Sequence, residues 1–156
     1  MRRGLRRLVV VVVVTGALAA LGACGSSGSD YGKAGNAANA DRTIDVTILS
    51  SKHYDPSSIT VRPGETVTFR VTNQDTGLHE FVLGDKKVQD DHEKEMAGMP
   101  MDNMRMADRP NRVSMDGGQT GSLTWTFPTK KGSQVLYGSH VPGDYSGGLK
   151  GTITVS

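Results

Sequence analysis

The chain has 156 residues, 18 lysines and arginines against 16 aspartates and glutamates for a formal charge of +2, 20 glycines and one cysteine. That length suits one small domain. Four of the bases, Arg2, Arg3, Arg6 and Arg7, crowd the N-terminus, and without them the charge is −2; the basic balance belongs to that segment, which excludes a nucleic-acid partner.

Those arginines precede an apolar run beginning at Leu8–Val14, and Leu21-Gly22-Ala23-Cys24 closes the run with small residues before the only cysteine. The pattern resembles the lipobox of a bacterial lipoprotein signal. A transmembrane anchor is the alternative, but Thr15, Gly16 and Gly22 interrupt the run, which is short for a span. Residues 1–23 are therefore expected to be a signal peptide and Cys24 the lipidated residue, anchoring an extracytoplasmic protein to the cell membrane. Gly25 to Ala40 is rich in Gly, Ser, Ala and Asn, the composition of a flexible tether, so residues 24–40 form the lipidated linker and 41–156 the domain. No internal repeat is present.

The domain reads as all-β. Ile44, Val46 and Ile48 alternate with polar neighbours, as do Val67, Phe69 and Val71, and then Leu123, Trp125 and Phe127; each set lines one face of a strand and is read as core. Shorter candidates are 59–61, 78–83, 135–137 and 152–155, divided by turn signals at Pro63-Gly64, Gly117-Gly118, Lys131-Gly132 and Pro142-Gly143. Seven or eight such strands suggest a Greek-key sandwich or barrel.

Between the strands, Met96, Met99, Met101, Met104 and Met106 fall within eleven residues. From Asp90 to Asp108 the surroundings carry six acids and two bases, with Ala97 and Ala107 as the only other apolar residues. Thioether sulfur is a soft, uncharged ligand that favours Cu(I) and forms no disulfide in an oxidising compartment. Methionine as a flexible gap filler is the competing reading, and so polar a setting disfavours it. His92 stands four residues before Met96, on the same face of a helical turn. Gly98 and Pro100 should end that helix near Ala97, leaving Met99 to Met106 as an adaptable loop.

Asp55-Pro56-Ser57-Ser58-Ile59, Pro63-Gly64-Glu65-Thr66-Val67, His79-Glu80-Phe81-Val82, Val141-Pro142-Gly143-Asp144-Tyr145 and Gly148-Leu149-Lys150-Gly151-Thr152 resemble a plastocyanin/azurin-type cupredoxin over nearly all of Thr43 to Ser156. The resemblance implies a cupredoxin-like sandwich with a Met-rich, partly helical insertion over about 85–112. It also implies type 1 copper held by His, Cys, His and Met, and only His79 matches. Ser139 stands at the Cys position, Asp144 at the second His and Leu149 at the Met. Without the thiolate, blue-copper electron transfer is not expected. The Asp91-His92-Glu93-Lys94-Glu95-Met96 stretch is similar to the extended loop of a bacterial cupredoxin subgroup associated with copper tolerance, which implies His92 and Met96 as ligands; the later methionines match in composition.

His140, in an extended segment beside Ser139, should point away from the old ligand pocket, as either a ligand or a surface or partly buried histidine. Asp144 is either a ligand beside His79 or a solvent-facing acid, the latter favoured. His53 reads as structural or exposed, and Met115 as packed. Two function classes follow: a tethered protein that sequesters or transfers copper, Cu(I) ahead of Cu(II), with a copper donor or acceptor protein as partner; and a metal-free interaction module. Electron transfer is a third and weaker one. No Ser/His/Asp or paired-carboxylate constellation points to an enzyme.

Overall fold

Strands with one apolar face must bury that face, and two such sheets can bury theirs against each other. The computed structural model describes residues 29–156; the expected signal peptide, Cys24 and the first part of the expected tether lie outside the described residues. In chain order the strands are β1 (Lys33–Ala34), β2 (Arg42–Ile48), β3 (Tyr54–Asp55), β4 (Ser58–Val61), β5 (Thr66–Asn73), β6 (His79–Gly84), β7 (Arg112–Met115), β8 (Thr120–Thr126), β9 (Gln134–Gly138) and β10 (Lys150–Val155). They form two five-stranded sheets, β1-β8-β5-β2-β3 and β4-β10-β9-β6-β7, the two-sheet sandwich expected from the alternating pattern.

The first sheet takes its inward face from the three alternating sets: Val46 and Ile48 on β2, Val67, Phe69 and Val71 on β5, Leu123 and Trp125 on β8 are all buried. Parallel pairing sets Val46 against Val71, and antiparallel pairing sets Phe69 against Leu123. Across the core the Phe69 and Phe81 rings lie 5.4 Å apart, and Phe81 and Tyr137 5.1 Å. Burying each such ring is worth about 1.5–3 kcal/mol.

The second sheet is buried on both faces where it bears the insertion, and β6 has no exposed residue. Phe81 and Leu83 join the sandwich core, as do Val135 and Tyr137 on β9. The alternate residues of both strands therefore face outward, toward helix α1 (Lys86–Ala97), which packs on β6 and β9. Asp85 caps this helix by accepting the Val88 amide at 2.8 Å. Exposed pairs Lys86–Asp90 and Lys87–Asp91 follow at i,i+4, and Gly98 ends the helix where the sequence predicts. Its buried residues, Gln89, His92 and Met96, form one stripe. Gly84 makes the close approach possible, because a Cβ there would lie 2.4 Å from Val88.

Part of the expected tether is built into the fold. Tyr31 stacks on Trp125 at 5.6 Å, its carbonyl accepts the indole N–H at 2.8 Å, and β1 pairs with β8. The Gly/Ala/Asn composition that reads as linker conceals one aromatic and two pairing residues. Strand β7 was not expected; it closes the insertion and buries Met115, which packs as predicted.

Candidate metal centre

Strand alternation divides the chemistry into two clusters lying back to back. His79 precedes Phe81 and Leu83 on the inward side of β6, and Ser139 continues the inward side of β9; Glu80 and His140 are their outward neighbours.

On the inward side, His79 Nδ1 lies 2.6 Å from Asp144 Oδ2 and Nε2 lies 2.8 Å from Asp75 Oδ2, each within hydrogen-bond distance. Ser139 Oγ donates to the same Asp144 oxygen at 2.7 Å and accepts the Glu80 amide at 3.0 Å. Leu149 is fully buried. The loop that carries these residues is closed by Ser139 N donating to Leu149 O and Leu149 N to Asp144 O. Asp144 is not the solvent-facing acid expected: it is 2 % exposed. It opens the one-turn helix α2 (Asp144–Gly147), flanked by left-handed Gly143 and Gly148, and this turn directs its carboxylate inward. Lys52 Nζ lies 3.9 Å from its other oxygen. Burial pushes the His79 pKa down, but hydrogen bonds and charge from Asp144 and Asp75 outweigh it, so the net shift is upward from 6.5. The bond to His79, then that to the Thr76 backbone, lowers Asp75. This set does not fit type 1 copper, since no thiolate is present and the serine and carboxylate are spent on one another and on the imidazole.

On the outward side, His92 Nε2 faces Glu80 Oε2 at 3.0 Å and Nδ1 faces Glu95 Oε2 at 2.8 Å. His140 Nδ1 faces Glu93 Oε2 at 2.6 Å and Nε2 faces Gln89 Oε1 at 2.7 Å. The two imidazoles meet edge to face with centres 5.1 Å apart, and Tyr145 stacks on His140 at 4.6 Å. His140 points away from His79 as expected, and at 1 % exposure it is not the surface or partly buried histidine of one reading. Glu80 is fully buried, and its Oε1 has no hydrogen-bond partner among the described residues. Burial lowers the His92 pKa, yet the bond and charge of Glu80 and the bond to Glu95 prevail and the net shift is upward. For His140 burial prevails over Glu93, His92 adding its charge, and the shift is downward. A cleft of about 340 Å³ between α1 and β7 reaches His92, Glu95 and Arg112.

The methionine segment folds against this side. Met96 and Met104 are buried, and Met99 and Met106 are half-buried; Met101 opens a 3-10 turn, Met101–Asn103. Buried Arg112 lies with Nη1 3.4 Å from Met106 Sδ and 3.5 Å from His92 Nδ1, and its Nε has no partner among the described residues. Thus His92 and Met106 flank one guanidinium, while His79 belongs to the other side of the sheet. Among the described residues no three His, Cys, Asp or Glu side chains already converge on one ion position. His53 is exposed, as expected. Reading the residues alone missed Glu80, Gln89, Glu93, Glu95 and Arg112 as members of the cluster. The alternation His79-Glu80 and Ser139-His140 was the available signal.

Residues 10–97 match the family described as cupredoxin-like domain. The chain is 34 % identical over 142 residues to the copper-resistant cuproprotein CopI of Pseudomonas aeruginosa, covering 74 % of this chain and 77 % of that one. It is 40 % identical over 116 residues to the copper-resistant cuproprotein CopI of Rubrivivax gelatinosus, covering 74 % and 67 %. Among solved structures, auracyanin B superposes with a TM-score of 0.62 at 24 % identity, covering 83 % of this chain and 96 % of that one, a likeness of fold.

Proposed function

The chain belongs to the cupredoxin-like family, and on that premise we propose that it is a copper-binding protein of copper resistance, tethered outside the cytoplasm through lipid on Cys24, that sequesters or hands on Cu(I). Its relatives are named as copper-resistant cuproproteins. His92, Met96, Met104 and Met106 are the principal ligands proposed, with Met99 and Met101 as exchangeable ones. One observation carries the reading: the methionine loop returns to the helix so that Met106 sulfur and His92 stand on either side of Arg112 Nη1, at 3.4 and 3.5 Å. A thioether and an imidazole beside a displaceable cation are a donor set suited to a soft monovalent ion. Arg112 supplies the competing positive charge. Its withdrawal gives up the Nη2 bond to the Ala107 carbonyl at 3.0 Å but none at Nε, and it uncovers the Met106 sulfur beside the His92 ring.

Thioether ligation is weak per ligand and can be replaced one sulfur at a time, which suits transfer to a partner protein. The inward cluster takes no part in this reading, because both His79 nitrogens are engaged by the Asp144 and Asp75 carboxylates. Catalysis is not proposed, nor is electron transfer.

The test is competition of the full chain against a Cu(I) chelator, beside a variant with Met96, Met99, Met101, Met104 and Met106 changed to Leu. Leucine keeps volume and apolarity while removing sulfur, so the variant should stay folded by circular dichroism and lose most Cu(I) binding. A folded variant with undiminished affinity would remove the loop from the site. Failure of the unaltered chain to bind would instead favour a metal-free interaction module.

A further inference from the structure

We propose that Glu80, His92 and His140 form a second site, for a borderline divalent cation, Cu(II) ahead of Zn(II), on the helix side of β6. It uses no methionine and shares only His92 with the Cu(I) site, so it stands or falls separately.

Proton accounting comes first. All four ring nitrogens of His92 and His140 face oxygen acceptors, those of Glu80, Glu95, Gln89 and Glu93. A neutral imidazole has one N–H, so each ring must carry an extra proton or set a nitrogen lone pair against an oxygen lone pair. Gln89 cannot relieve this by turning its amide, because its Nε2 donates to the Val82 and Leu136 carbonyls at 3.0 and 3.3 Å. A cation in place of the inner protons removes the conflict.

The second observation is independent. Glu80 is fully buried and its Oε1 has no partner among the described residues, although buried carboxylate oxygens are nearly always paired. The inward cluster shows no such deficit, since Asp144 has His79, Ser139 and Lys52 about its two oxygens.

The spacing suits an ion. Donors about 2.0–2.2 Å from a common cation lie roughly 3 Å apart when they subtend a right angle, and His92 Nε2 and Glu80 Oε2 are separated by 3.0 Å. Two imidazoles on one ion hold their centres roughly 4.5–5.5 Å apart; here the separation is 5.1 Å. The Nδ1 atoms of both rings are gripped by carboxylates of α1, Glu95 and Glu93, the outer partners that orient metal-bound imidazoles through their other nitrogen. His140 would exchange its Gln89 contact for the ion. Two imidazole nitrogens and a carboxylate are borderline-to-hard donors, for which Cu(II) outranks Zn(II).

The experiment titrates the full chain, uniformly nitrogen-labelled, with Cu(II) and separately with Zn(II), following the histidine ring resonances. Substoichiometric Cu(II) should broaden His92 and His140 while His79 and His53 persist, and its paramagnetic resonance spectrum should show two coupled nitrogens without an intense visible band. Zinc should shift the same two rings and be displaced by copper. Glu80→Gln and His140→Gln should each abolish Cu(II) retention against a chelator, whereas Glu93→Gln should weaken it about 10–100-fold. The leucine variant of the five methionines should retain Cu(II), which separates this site from the Cu(I) reading. Broadening centred on His79 or His53, or an unchanged nitrogen count in His140→Gln, would overturn the assignment. Both copper results on the unaltered chain stand even if a variant fails to fold.

Discussion

His79 sets both ring nitrogens against carboxylates, Asp144 at 2.6 Å and Asp75 at 2.8 Å, in the place that the family resemblance assigns to a metal. The sign of its effect on stability follows from linkage. Its folded pKa lies above 6.5, so its contribution is fully present below that value and is lost as pH rises through the raised one. Asp75 is depressed below 3.8, so its contribution is present above that value and is lost as pH falls through the depressed one. The stability difference between the unaltered chain and His79→Gln should therefore be largest at about pH 5–6 and shrink toward alkaline pH. Denaturant unfolding across that range measures it, and a difference that grows above pH 7 would reverse the assigned charge. Ser139, Asp144 and Leu149 make a second residue-scale test. Changing them together to Cys, His and Met supplies a thiolate, an imidazole and an axial thioether beside His79. Copper(II) should then produce an intense visible band that the unaltered chain lacks. A folded triple variant that binds copper without the band would show that these four positions cannot take up the trigonal ligand geometry.

At the scale of elements, helix α1 holds the outward cluster in place. It carries Gln89, His92, Glu93 and Glu95, and its start depends on the Asp85 side chain accepting the Val88 amide. Asp85→Ala should cost about 0.5–2 kcal/mol and loosen His92; urea unfolding with amide exchange along Lys86–Ala97 checks it, and an unchanged midpoint and exchange would show that packing alone sets the helix. The helix was legible because its stop signals, Gly98 and Pro100, are local. So were the strands, whose period-two pattern needs only neighbours along the chain. Asp144 was misread for the opposite reason, because its burial depends on meeting His79, 65 residues earlier. Tyr31, which settles on Trp125 94 residues away, escaped notice in a segment whose composition reads as linker. Glu80 was the missed opportunity, since its outward direction follows from His79 by alternation, but no local pattern placed a helix over it.

The whole molecule is a sandwich whose second sheet separates a closed, self-satisfied inner network from an outer cluster with unpaired polar atoms. Its outer face, with α1, the methionine segment and the cleft leading to His92, is where ions are expected to enter and leave. The expected lipid anchor would hold the domain at a membrane. Cys24→Ser should leave the protein unprocessed or released from the membrane fraction, and a variant that matures and partitions like the parent would exclude lipidation there. The central claim, that copper is held by the helix and methionine loop and not in the inner pocket, is tested most directly by X-ray absorption on the Cu(I)-loaded full chain. Sulfur should dominate the first shell beside nitrogen, disappear when the five methionines become leucine, and persist in His79→Gln. A first shell of nitrogen and oxygen alone, or one that changes only in His79→Gln, would contradict it.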